Sequence, residues 1–102
     1  MALKDRGKKA IEDFIARRAF FKHETLEGTH MLFGLGRLPE PYKSQLTNLD
    51  MYNDIDRVLY SYETPIAWRT KEGVWIVPSV SYSRTTTNHQ NIAKVTINEM
   101  RS

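Results

Sequence analysis

The stretch YSYETPIAWRTKEGVWIVPSVSYSRTTTNHQ, residues 60–90, decides the fold of this chain. It holds both tryptophans, three of the five tyrosines and the clearest strand alternation in the sequence. Thr64 to Arg69 and Val74 to Val77 read as strands around the turn Thr70-Lys71-Glu72-Gly73, where Gly73 can take a positive φ without steric cost. Alternation points Ile66 and Trp68 to one face, Ala67 and Arg69 to the other. Pro65 has no N–H for a ladder, so it belongs at a strand start or on an edge; Pro78 closes the next strand. Val80 to Ser83 is expected to extend the sheet, and RVLYSY (57–62) to begin it, giving a central sheet over 57–83.

Downstream, TTTNHQNIAKVTINEM reads as a C-terminal helix over 85–100. Thr87 and Gln90 have the spacing of a capping box, with Thr85 and Thr86 as alternative caps. Ile92, Val95 and Met100 supply its apolar side, while Thr96 and Ile97 leave a late strand open. Upstream, 20–34 reads as a hairpin in which Phe21, His23 and Thr25 alternate and Glu27-Gly28 turns. GLGRLPEPY (34–42) is punctuated by Gly and Pro, and KSQLTNLDMYNDID (43–56) is polar and acidic. A helical turn competes there with a surface loop, and 35–56 is read as the loop. Residues 1–19 read as a basic helix, with Ile11, Phe14, Ile15 and Arg18 along one side. Gly7 weakens its first turns and moves the expected start toward Lys8. The sum is a single α+β domain over 1–102, a mostly antiparallel sheet of about five strands flanked by an N-terminal and a C-terminal helix.

Composition narrows the function classes. A chain of 102 residues makes one domain with one modest core. With no cysteine, disulfides, thiolate metal sites and cysteine nucleophiles are excluded. No apolar run approaches the ~18–20 residues of a membrane span, and MALKDRGKK lacks the apolar core of a signal peptide. A cytoplasmic protein with no membrane partner is the expectation. Residues 1–22 carry seven Lys/Arg against three Asp/Glu, 23–63 three against seven, and 64–102 five against two. Basic ends surround an acidic middle, a pattern that serves nucleic-acid binding or simple solubility.

TLEG (25–28), GRLPEPY (36–42), YSYETPIAW (60–68) and YSRTTTNHQ (82–90) follow one another in an order that carries a resemblance. The chain resembles a family of small uncharacterised proteins encoded largely by bacteriophages and other DNA viruses. That family joins a Tyr-Ser-Tyr-x-Thr strand to a Tyr-Ser-x-Thr-Thr segment with a following histidine. The matching positions are Tyr60, Ser61, Tyr62 and Thr64, then Tyr82, Ser83, Thr85, Thr86 and His89. The resemblance spans the last three quarters of the chain and implies a viral origin, an infected bacterial cytoplasm and no particular chemistry.

Arg84, Thr85, Thr86 and Thr87 open the last helix, where free N–H groups and the helix dipole suit an anion. The competing reading, that these hydroxyls only cap the helix, is favoured. Lys8, Lys9, Arg17 and Arg18 on the first helix are the companion contacts for a phosphate backbone, against the ordinary reading of a solvated face. His23 and His30 are placed across the first hairpin from each other, but neither they nor His89 have the spacing of a metal pair. GLGRLP lacks the GK[ST] of a phosphate loop, so no cofactor is indicated. Tyr60, Tyr62, Trp68, Arg69 and Trp75 suit a stacking platform for single strands, yet a small domain needs such rings for its core. The leading expectation is a non-enzymatic protein that binds a host bacterial protein through 43–56 and adjacent strand edges, and inhibits host growth. A nucleic-acid-binding module using Lys8, Lys9, Arg17, Arg18 and residues 84–87 comes second, and an enzyme using His89 third. Homodimerisation through a strand edge is compatible with each.

Overall fold

The computed structural model describes residues 2–80 and 82–101, with the side chains of 7–80 and 82–100. Five antiparallel strands form a meander in chain order: β1 (Phe21–His23), β2 (Leu26–Thr29), β3 (Ile55–Ser61), β4 (Thr64–Thr70) and β5 (Trp75–Ile76). Helix α1 (Ala2–Arg17) and helix α3 (Arg84–Arg101) flank the sheet and pack against each other. Helix α2 (Tyr42–Met51) lies between β2 and β3 in the chain. The α+β architecture expected from the sequence is the one observed.

β3 is buried along almost its whole length because both its faces are covered. On one face Leu59 joins Ile11, Phe14 and Ile15 of α1 and Ala93 and Ile97 of α3. On the other, Val58 and Tyr60 join Leu38, Leu46 and Trp68. The segment read as a surface loop therefore forms a layer of the core. Its signal was weak because only Tyr42, Leu46 and Leu49, at helical spacing, face inward among polar residues. Pro39 and Pro41 do exclude a helix before Tyr42, and α2 begins directly after Pro41.

Strict alternation fails in β4. Leu59 pairs with Ala67 and Tyr60 with Pro65, so Ile66 is the extra residue of a β-bulge. Ile66 and Ala67 therefore both enter the core under the helices, and Trp68 faces the opposite core. Pro65 stands near the start of β4, beyond the reach of β5, which pairs only with Trp68 and Arg69. The sheet is not extended by 80–83: Val80, Tyr82 and Ser83 are outside any strand, and Ser81 lies outside the described residues.

The first hairpin turns earlier than expected. Phe21 pairs with Gly28 and His23 with Leu26, so Glu24-Thr25 is the turn and Glu27-Gly28 is strand. α1 runs through Gly7, rather than starting at Lys8, and ends where Arg18 takes φ 59°. There the buried Arg57 donates from Nη1 to the carbonyls of Phe14 and Ile15 at 2.8 and 2.9 Å, adding to the bond that the Phe14 oxygen accepts from the Arg18 N–H and holding the last turn to the sheet. α3 is helical through Thr96 and Ile97, with Thr96 Oγ1 donating to the Ile92 carbonyl at 2.9 Å. No late strand forms.

Candidate functional site

The β3–β4 turn is the two-residue loop Tyr62-Glu63, closed by the pair Ser61 and Thr64. Tyr62 has φ 51° and Glu63 φ 66°. Positive φ at both positions defines a type I′ turn, which normally takes Asn-Gly, and a bulky residue there costs about 1–2 kcal/mol. Neighbouring segments hold the turn in place. The Tyr62 N–H donates to the Thr25 carbonyl at 2.7 Å, tying this turn to the tip of the first hairpin. The Arg37 N–H donates to Thr64 Oγ1 at 2.9 Å. Gly36, at φ 50°, sits so close that a Cβ would stand 2.6 Å from the Glu63 carbonyl oxygen.

A cleft of about 770 Å³ opens on one side of this turn. Phe33, Tyr60 and Tyr62 supply its rings, and Glu24, Glu27 and Glu63 its carboxylates, with Lys22 as the one cation among the described residues. Phe33 is 61% exposed and Tyr62 53%, large values for aromatic side chains beside a concavity. Register places Lys22, Glu27 and Tyr60 in one row across the sheet. The Tyr60 hydroxyl accepts from the Phe33 N–H at 2.6 Å and donates to the Met31 carbonyl at 3.4 Å, and the Phe33 and Tyr60 ring centres are 5.7 Å apart. Burial pushes the Tyr60 phenol up, the Phe33 and Gly34 N–H groups oppose it, and the charges of Glu27 and Asp50 add to it.

A second cleft of about 520 Å³ lies on the other side, lined by Arg37, Tyr82, Ser83, Thr85 and the same turn. Beneath it is a network of hydroxyls. Ser61 Oγ is 3.1 Å from Thr86 Oγ1 and 2.9 Å from His89 Nδ1, and Ser83 Oγ donates to Thr86 Oγ1 at 3.2 Å. Burial depresses the His89 pKa, because desolvation disfavours the charged imidazolium. Ser61 has no exposed surface of its own but stands in the wall of this cleft, and the serine–histidine pair joins β3 to α3. The Tyr82 hydroxyl is buried and has no hydrogen-bond partner among the described residues.

The tertiary structure thus gathers the motif residues Tyr60, Ser61, Tyr62, Thr64, Tyr82, Ser83 and His89 around one turn, Tyr60 on the opposite sheet face from Ser61. The expected caps are corrected. Ser83 is the N-cap, its Oγ accepting from the Thr86 N–H at 3.3 Å and its carbonyl from the Thr87 N–H at 2.9 Å. Gln90 is buried and donates instead to the Pro78 carbonyl at 3.2 Å.

Of the proposed phosphate contacts, Arg84 and Thr85 are exposed, Thr87 is half-buried and Thr86 is buried within the hydroxyl network. Lys8, Lys9 and Arg17 are exposed on α1, with Lys9 and Arg17 reaching Asp13 at 3.7 and 3.9 Å. Arg18 is not part of the apolar stripe. It leaves the helix to pair with Asp56 at 3.2 Å and covers the Phe20 ring at 4.8 Å. Asp56 and Ser61 stand five residues apart on β3, roughly 17 Å, so Arg18 and the start of α3 belong to different ends of the domain. His23 and His30 are also separated: His23 pairs at the hairpin tip with Leu26, while His30 packs on Phe20 at 5.4 Å. Among the described residues no three His, Asp or Glu side chains come together as a metal ion requires. The stacking platform does not form either, because Trp68 is fully buried and Trp75 lies half-buried under Arg57.

Two clusters escaped the sequence reading. Asp56 meets three arginines, Arg18, Arg57 and Arg69, at 3.2, 2.7 and 3.4 Å. Glu24, Phe33 and Glu63 reach one cleft from three separate segments. The one local signal for the second cluster was Tyr62-Glu63 standing where a hairpin turn must be.

The model of a family of unknown function, DUF8033, matches residues 12–97, most of the chain from the middle of α1 to the last turns of α3. The chain belongs to that family, and the matched region takes in more of α1 than the motifs alone suggested. No curated protein and no solved structure matches the chain.

Proposed function

We propose that this member of DUF8033 is a non-enzymatic protein-binding module whose contact face is the end of the sheet where the two hairpin tips meet. One observation carries the reading: Phe33 and Tyr62 stand more than half exposed and flank an open cleft, whereas the also exposed Tyr52 lines neither cleft and the aromatics within the strands are buried wholly or in part. Rings held out by a rigid scaffold are the usual anchors of protein recognition. The turn beneath them is fixed by two neighbouring segments, at Thr25 and at Gly36-Arg37, so little order has to be gained on binding. Residues 43–56 are not the loop the sequence suggested: 43–51 are helical, with Leu46 and Leu49 turned into the core and Met51 and Tyr52 exposed. We assign the contact face to the cleft instead because its rings flank a concavity.

The motif resemblance supports a viral origin, a bacterial host protein as the partner, and growth inhibition as a phenotype of expression in the host cytoplasm. Among the described residues no helix is long and apolar enough to cross a membrane. The test is expression of the wild type and of Phe33→Ala/Tyr62→Ala in a bacterial host, with growth and captured partners compared. A partner held by the wild type, lost by the variant and rebound in purified form is the expected result. Equal capture by both proteins moves the contact face elsewhere.

A second reading has its own observation. Lys8, Lys9 and Arg17 on α1 and Arg84 and Lys94 on α3 are all exposed, and these two helices are neighbours in one layer. A duplex-binding surface there predicts affinity that falls steeply with salt and drops in Lys8→Ala/Arg84→Ala. No binding at low salt removes it.

A further inference from the structure

The cleft that carries the binding reading has a chemistry of its own. Three carboxylates and one ammonium line it, and Lys22 stands directly across the β1–β2 ladder from Glu27. One ammonium against three carboxylates leaves an excess of negative charge, and Glu24 and Glu63 stand one on each hairpin tip. Both are exposed, and each has a positive φ, 51° and 66°. The exposed rings of Phe33 and Tyr62 line the same cleft, and aromatic faces attract cations through their negative quadrupole. An anionic or purely apolar occupant would leave the carboxylates facing like charge or unsolvated.

We propose that this cleft receives a lysine or arginine side chain presented by a segment of a partner protein, with the rings of Phe33 and Tyr62 against its alkyl stem and the carboxylates of Glu24 and Glu63 on its charged head. The inference rests on the protein-binding reading and assigns the partner's chemistry. Long basic side chains combine an apolar stem with a charged tip, which is the combination this cleft offers. The turn residues serve that purpose directly. Tyr62 and Glu63 hold left-handed backbone that Asn-Gly would adopt at lower cost, and what the costlier pair adds is one ring and one carboxylate at the cleft rim.

The test uses the full chain and a random library of 12-residue peptides, selected on the wild type and counter-selected on Phe33→Ala/Glu63→Gln. Both substituted side chains are exposed, and thermal melts confirm that the variant is folded. Enriched peptides are expected to share a Lys or Arg at one position. Changing it to Gln should weaken binding at least about tenfold, the combined loss of a cation–π contact and a charge-assisted hydrogen bond. Phe33→Ala alone should cost about two- to fivefold.

Peptides without a shared cation, no enrichment, or equal binding to the variant overturns the inference. Concentration-dependent self-association that the same variant abolishes also overturns it, by making a second copy of this chain the occupant. The two readings fail separately. A captured host protein whose binding ignores Glu63→Gln defeats the cation site alone, while cationic peptides without any host partner defeat only the host-protein reading.

Discussion

Nδ1 of His89 lies 2.9 Å from Oγ of Ser61, joining the last strand residue before the Tyr62-Glu63 turn to the second turn of α3. Burial lowers the His89 pKa below its ordinary value of 6.5. Above that pH both native and unfolded chains hold the ring neutral, and the contribution is complete. As pH falls below about 6.5 the unfolded chain takes up the proton first, so stability declines with acid. Denaturant titrations between pH 7.5 and 5 should show that decline in the wild type and a flatter profile in His89→Asn.

Asp56 governs a lower window. Its burial alone raises the carboxyl pKa, but the hydrogen bond and charge of Arg57, with the charges of Arg18 and Arg69, outweigh this and hold it below 3.8. A depressed acid contributes stability above its unfolded pKa and loses it as pH falls through the folded value, here below about 3.8. Asp56→Asn should cost about 2–3 kcal/mol at pH 7, because it leaves the buried Arg57 with only the α1 carbonyls. Urea unfolding at pH 7 and pH 3 checks both the size and the convergence of the two proteins in acid.

The turn should separate stability from binding. Tyr62→Asn/Glu63→Gly puts the preferred type I′ pair where the backbone already requires it. A gain of about 1–2 kcal/mol in thermal unfolding is expected, together with loss of partner binding. A variant that is no more stable would show that the left-handed conformation is not strained.

The helix caps give a sharper comparison. Ser83→Ala removes both the cap to the Thr86 N–H and a contact in the hydroxyl network, and should cost about 1–2 kcal/mol. Thr87→Ala lies outside the cap and should cost under about 0.5 kcal/mol. Equal losses in paired melts would return the cap to Thr87.

The sequence by itself determined the fold class, the strand pair around 70–73 and both flanking helices, because side-chain period and turn residues act over a few neighbours. It also marked the Tyr-Ser-Tyr and Tyr-Ser-x-Thr-Thr segments, which meet in space through Ser61, Thr86 and His89. What local pattern could not carry was decided by long-range packing. The bulge at Ile66 turns two successive residues toward the helices, a choice visible only once β3 fixes the register. α2 is too sparsely apolar to declare itself, and it is held because Leu46 and Leu49 cover Val58 and Trp68. The cleft depended on tertiary structure most of all. Glu24, Phe33 and Glu63 are unremarkable in sequence and become one surface because the Thr25 carbonyl, Gly36 and Arg37 bring their three segments to a single turn.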